Sequence, residues 1–251
     1  FGSSHFGPGH RAAHSARAAA HQVLLAMPSY KLVYFDIRGL AEPARFLFAI
    51  SKTDYEDVRY SLTFGTPGDF STIQRPEFDA AKERGELDVA LGKVPYLEVD
   101  GGVKIGQSKA IERYLARELG FIGSGPVEAA QIDQLCETIT DFKNAYQKVK
   151  ATKDEGAMAK FFAEDLPGSV QLAEKSLPPG APGPWLVGSK VSLADVLWYQ
   201  FLAAPKGYFD NAEGARNAFQ EKCPRMKAAL DAVGEIEELK AHITNRKATD
   251  F

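Results

Sequence analysis

Polar and apolar positions alternate over residues 30–36, YKLVYFD, among β-branched and aromatic side chains, which predicts a strand. In RGLAEPARFLFAIS the period lengthens: Phe46, Leu47 and Ile50 share one helical face, and Pro43 suits a first turn. YEDVRY (55–60) predicts a second strand, and the Gly and Pro of 61–76, SLTFGTPGDFSTIQRP, a loop. FDAAKERG predicts a short helix. KVPYLEVDGGVKI predicts two short strands turning at Asp100-Gly101-Gly102, and GQSKAIERYLARELG a helix over 107–119 that stops at Gly120. Beyond residue 125 the pattern is helical throughout. Residues 125–152 carry an apolar stripe through Ile132, Leu135, Ile139, Phe142, Tyr146 and Val149, and 154–177 carry another. LPPGAPGPW (177–185) is a loop. In VSLADVLWYQFLA, Ser192 and Asp195 form a capping box and Val191 can staple against Val196. Further helices are predicted at about 213–222 and 225–246.

The fold class that follows is α+β. The order β-α-β, short helix, β-β-α over 28–120 is that of a thioredoxin-like domain; 125–246 form an all-α domain, and 247–251 a tail.

Composition narrows the function. The chain has 251 residues, 45% hydrophobic and 25% charged, as a folded chain of one or two domains has. A net charge of −3 supplies no basic face for nucleic acid or an anionic membrane, so neither is expected as a partner. No stretch reaches the roughly 18 apolar residues that cross a bilayer. Two cysteines, Cys136 and Cys223, make no disulfide framework and read as structural, in keeping with a cytoplasmic location. Residues 1–26 are set apart: they have no Asp or Glu, are rich in Ala, Gly and Ser, and hold His5, His10, His14 and His21. They read as a disordered extension outside the fold, with an organelle transit peptide as the alternative, and Met27 reads well as a start. Only His242 then remains in the body of the chain. Ser-His-Asp and Cys-His mechanisms need an imidazole beside the nucleophile, and zinc wants several ligands, so the chemistry is expected to run without histidine.

Four segments, MPSYKLVYFDIRGLAEPARF, GKVPYLEVDG, GQSKAIERYLARE and SLADVLWY, stand in that order, and NRKATDF closes the chain. Together they resemble the sigma-class glutathione transferases, the group that contains prostaglandin D synthase, over essentially all of 28–251. The resemblance implies glutathione as co-substrate, its thiol activated as a thiolate and conjugated to a hydrophobic electrophile, with lipid isomerase or peroxidase side activity. The alternative is a non-catalytic binding or structural, crystallin-like protein of the same fold.

Read alone, Tyr34 is an aromatic core residue of a strand. In the resemblance it donates its hydroxyl hydrogen bond to the glutathione sulfur. A phenol with a pKa near ~10 stays protonated at neutrality and can donate. Lowering the thiol pKa by ~2 units corresponds to ~2.7 kcal/mol in favour of thiolate. Tyr34-Phe35-Asp36-Ile37 also lacks the Cys-x-x-Cys of a dithiol redox protein. Lys93, Val94 and Pro95 are implied in glutathione binding, with Pro95 cis and the Val94 N–H and C=O pairing with the cysteinyl part. Ser108 alone would be a helix cap; with Gln107 the resemblance gives it the γ-glutamyl carboxylate, at a helix start suited to an anion. Phe78, where relatives carry Trp, and Lys82, otherwise a solvated lysine, are implied at the glycyl end. Asp141, otherwise a surface carboxylate, is implied to reach the glutathione of the partner subunit in a homodimer. Glu137 and Thr140 replace the aspartates with which some relatives bind a cation, so no metal is expected. Leu40 replaces an arginine near the thiolate, and Arg38 is the candidate support. Trp198 and Tyr199 read as core, and the electrophile is expected between Tyr34 and the first long helix.

Overall fold

The alternation in YKLVYF becomes strand β1, Tyr30–Phe35. The computed structural model describes residues 28–66, 70–179, 183–209, 211–219 and 221–249. The extension read over 1–26 lies outside the described residues, as do parts of the 61–76 and 177–185 loops and of the 247–251 tail. Helix α1 (Glu42–Ser51), opening on Pro43, leads to strand β2 (Glu56–Tyr60), which pairs in parallel with β1, Tyr34 opposite Arg59. The predicted loop contains two-residue strands, β3 (Thr63–Phe64) and β4 (Ile73–Gln74), paired with each other. Helix α2 (Pro76–Glu83) follows. Strands β5 (Tyr96–Val99) and β6 (Val103–Gly106) form the predicted hairpin, and β5 pairs antiparallel with β1. The sheet order is therefore β2-β1-β5-β6. Helix α3 (Ser108–Glu118) completes this half.

Side-chain alternation gives the sheet two differently covered faces. Tyr30, Leu32 and Tyr34 join the large core with Phe46 and Leu47 of α1 and Ile111 and Leu115 of α3. Val33 and Tyr96 point the other way, to Phe78 and Ala81 of α2 and to Leu87. The segment GELDVALG packs in through fully buried Leu87 and a short turn at Asp88–Ala90. Gly106 lets that turn close on the sheet edge, because a Cβ there would stand 2.8 Å from the Ala90 Cα.

The second half is helical. α4 (Pro126–Thr152) spans the predicted range. The helical pattern of 154–177 forms one unbroken run, α5 (Glu155–Lys160), a π turn at Phe161–Asp165, and α6 (Leu166–Ser176). Pro167 cannot donate within a continuous helix, and the wider turn accommodates it while Phe161 enters the core beside Tyr146. Every residue of α7 (Leu193–Leu202), Trp198 and Tyr199 included, is buried, so it is the central helix. Each large apolar side chain buried there contributes about 1.5–3 kcal/mol. After α8 (Ala212–Asn217), the predicted 225–246 helix is two: α9 (Pro224–Gly234), ending at its glycine, and α10 (Glu237–Asn245).

The chain end returns to the first half. Arg246 Nη1 donates to Glu42 Oε1 at 2.7 Å, His242 Nε2 lies 3.6 Å from the same oxygen, and Lys247 pairs with Asp36. Burial works against ionising Glu42, but the nearby His242 imidazole, the Arg246 hydrogen bond and the charges of Arg45 and Arg246 outweigh it and hold the pKa at about 2.

The capping box forms at the start of α7. Asp195 accepts from the Ser192 N–H at 2.8 Å, the Ser192 hydroxyl at 2.6 Å and the Leu186 N–H at 2.8 Å. Burial raises its pKa to about 6 against the pull of these bonds. Asp195→Ala strands two buried N–H groups, so the expected loss is about 3 kcal/mol, read as a lower denaturant midpoint at unchanged slope. Asp195→Asn, which keeps an acceptor, is expected to lose less. A loss below about 1 kcal/mol for the alanine variant would contradict this role for the box.

Candidate active site

Position 34 falls on the phase of β1 that faces α1 and α3, so the Tyr34 ring lies between the sheet and the helices. Past the strand the chain turns, with the Ile37 N–H donating to the Phe35 carbonyl at 2.7 Å, and enters a short turn at Gly39–Ala41. That turn folds back over the tyrosine. The Leu40 N–H donates to the Tyr34 hydroxyl oxygen at 3.2 Å. Gly39 has φ 42°, and a Cβ on it would sit 2.7 Å from that same oxygen, so both conformation and space require glycine.

Arg45 holds the turn from beneath. Its fully buried guanidinium donates to the Ile37 carbonyl at 2.9 Å, and to Asp57 through Nε at 3.1 Å and Nη2 at 3.3 Å. Burial raises the Tyr34 pKa, partly offset by the Leu40 N–H and the Arg45 charge, so the phenol stays protonated at neutrality. A hydroxyl has one donor and two acceptor lone pairs. With Leu40 donating to one lone pair, the Tyr34 proton is left for an acceptor outside the strand-turn unit.

That unit lines a cavity of about 830 Å³, with Phe46 of α1, Ser108 and Glu112 of α3, Ile139 and Lys143 of α4, and Leu197 of α7. A separate cavity of about 670 Å³ lies in the helical half, between Phe162 and Asn217.

Of the residues singled out in the sequence, Tyr34, Arg38 and Ser108 meet at the larger cavity. Ser108 is the first residue of α3, and the cap position falls to Gln107, which is exposed with φ 69°. The Ser108 hydroxyl is thus free of capping, correcting its reading as a cap. The Val94-Pro95 peptide is cis, and no hydrogen bond joins the Val94 backbone to another described residue. Lys82 and Lys93 are exposed on either side of Gly92, the Lys82 Cε 3.1 Å from where its Cβ would be.

Phe78 is not brought to the cavity. At 4% exposure it packs under the opposite sheet face, 5.0 Å between ring centroids from Phe35, because α2 covers the side to which Val33 points. Arg38 reaches the cavity wall, but its Nη1 donates to the Thr249 carbonyl at 2.6 Å and hydroxyl at 2.9 Å, which commits it to the chain end. Asp141 is exposed on α4. Cys136 lines the cavity as an un-ionised thiol, its pKa pushed up by burial.

The sequence reading missed Gly39, Arg45, Glu112 and Lys143. Glu112 stands one turn after Ser108, and Lys143 interrupts the stripe of Ile139, Phe142 and Tyr146, so a signal was present in both. The Leu40 contribution runs through its N–H, which no choice of side chain reveals.

Residues 30–117 match the model of the glutathione S-transferase N-terminal domain, and residues 138–246 that of the glutathione S-transferase C-terminal domain. The hematopoietic prostaglandin D synthase of Gallus gallus is 34% identical over 224 residues, 89% of this chain and 99% of that protein. S-crystallin SL11 of Nototodarus sloanii is 31% identical over 229 residues, 90% of this chain and 100% of its own. Among solved structures, monomeric Na-GST-3, a glutathione S-transferase of the hookworm Necator americanus, superposes with a TM-score of 0.68 at 28% identity, over 89% of this chain and 100% of that one.

Gly39→Ala is expected to displace the Tyr34 ring and break the Leu40 hydrogen bond. Exchange of the Leu40 amide hydrogen, followed by NMR, should accelerate about tenfold, the worth of one such bond. Unchanged exchange would show that the turn absorbs the methyl group.

Proposed function

The chain belongs to the glutathione S-transferase family, and on that premise we propose that Tyr34 is the residue that makes bound glutathione reactive. The observation that carries this is the directed hydroxyl: Leu40 occupies an acceptor side of the oxygen, and in this reading the O–H so left is the donor to the glutathione sulfur. Glutathione releases its thiol proton to solvent, and the thiolate that remains is stabilised by the Tyr34 O–H. Its lone pair then forms a carbon–sulfur bond to the electrophile; with an aromatic halide, the carbon–halogen bond breaks and halide leaves. Tyr34 keeps its own proton throughout, which suits a phenol whose pKa burial has raised.

The rest of the tripeptide is held around that sulfur. The unpaired N–H and C=O of Val94 suit the cysteinyl backbone, and the first turn of α3, with the uncommitted Ser108 hydroxyl and Gln107, suits the γ-glutamyl carboxylate. Exposed Lys82 and Lys93 suit the glycyl carboxylate, and Pro95 leads from Lys93 and Val94 into β5. Phe78 serves packing, and Arg38 serves the chain end. The likeness to a prostaglandin D synthase supports a sigma-like class. We read the working form as a cytoplasmic homodimer in which exposed Asp141 reaches the partner's glutathione; sedimentation as a monomer would remove Asp141 from the site. Among the described residues, no helix is long and apolar enough to cross a membrane.

The likeness to an S-crystallin keeps one other reading open, a protein of this fold without turnover. A conjugation assay with 1-chloro-2,4-dinitrobenzene separates the two. Tyr34→Phe is expected to lose tenfold or more in turnover, about 1.5–3 kcal/mol of transition-state hydrogen bonding, and to stay bound to immobilised glutathione. Equal rates would remove Tyr34 from the mechanism, and no turnover in the parent would favour the crystallin-like reading.

A further inference from the structure

Two charged side chains of the cavity are left without a role by the transfer chemistry. Glu112 lines it from α3, at 9% exposure, and half-buried Lys143 lines it from α4. Neither is hydrogen-bonded or ion-paired to another described residue. The Lys143 ammonium rests instead on aromatic faces, 4.7 Å from the ring centroid of Tyr208 and 5.8 Å from that of Phe201. The neighbouring cations are already committed: Lys109 to Thr140, and Arg113 to Asp133 and Glu137. On the α3 and α4 side of this wall Lys143 is therefore open to a ligand; exposed Lys206 also lines the cavity. Buried charges are ordinarily mated, and this pair faces a cavity in place of a partner.

Burial pushes the Glu112 pKa up to about 7, against the nearby charges of Lys143, Lys109 and Arg113 and with that of Glu137. Burial also lowers that of Lys143, which Glu112 counteracts. Near neutrality Glu112 is thus able to carry a proton and donate it in a hydrogen bond. The remaining wall, Phe46, Ile139 and Leu197, is apolar.

We propose that this cavity selects an electrophile that carries a carboxylate: Lys143 pairs with one of its oxygens, protonated Glu112 donates to the other, and the apolar body lies along Phe46, Ile139 and Leu197 to meet the sulfur at Tyr34. This rests on the transferase reading and adds a substrate class to it. Two carboxylates sharing one site do not both ionise, so binding the acid holds the proton on Glu112. A neutral electrophile of the same shape leaves Lys143 and Glu112 unmated. Cys136 takes no part, since burial keeps its thiol protonated.

Ethacrynic acid and its methyl ester, enones of matched shape that differ in one charge, provide the test. The readout is the ratio of kcat/KM for acid over ester, in which thiolate formation is common to both and cancels. Lys143→Met is expected to lower this ratio at least about tenfold, and Lys143→Arg to retain most of it. In the parent protein the ratio is expected to fall as pH rises from about 6 to about 8.5, as Glu112 loses its proton, and Glu112→Gln should flatten that fall. A ratio unchanged in Lys143→Met, or a flat parent profile, would overturn the proposal, and the parent profile needs no variant to fold. Absence of turnover with either probe would overturn the transferase reading beneath it, a result separate from an unchanged ratio.

Discussion

One hydrogen bond, from the Leu40 N–H to the Tyr34 hydroxyl, decides where a single phenolic proton can point. A free tyrosine on a strand could donate to water, to a carbonyl or to nothing in particular. Here the backbone occupies an acceptor side of the oxygen, and burial keeps the proton in place at neutral pH. What remains is a donor of fixed direction at the wall of a cavity. In the function proposed above, such a group stabilises charge on an incoming sulfur without reorganising, which would make it worth more than the same phenol in water.

That bond rests on a network of charges behind the turn, of which Arg38, Glu42 and Arg246 also line the cavity. Arg45 is fully buried because two carboxylates and two loop carbonyls satisfy it. Removing Asp57, which accepts two of its bonds, would leave the guanidinium only partly matched in the core, at a cost of several kcal/mol. Asp57 is shared with Arg59, which also pairs with Asp36, and Asp36 in turn holds Lys247. Through Glu42, Arg246 and His242 the same network ties α10 to α1. The chain end and the tyrosine turn are thus parts of one electrostatic unit, and Arg38 belongs to it through Thr249.

Much of this was legible in the sequence where the physics is local. The period of YKLVYF, the turn at Asp100-Gly101-Gly102 and the Ser192–Asp195 box each fold by short-range rules, and each appears as read. What escaped was tertiary. Phe78 is a plausible ring for a binding site until one knows that α2 covers the Val33 side of the sheet, opposite Tyr34. The apolar stripe over 154–177 did not bring out Pro167, and the π turn that accommodates it depends on where Phe161 must pack. Glu112 and Lys143 sit in separate helices, and nothing in either helix alone says that they line one cavity.

The central claim is that a directed phenolic proton holds a bound sulfur as its anion, and titration of the complex measures this most directly. Ultraviolet absorbance of the thiolate, followed against pH with glutathione bound, should give a midpoint about 2 units below the ~8.5 of an ordinary thiol. A midpoint at the value of free glutathione would contradict it, whatever the rate of conjugation.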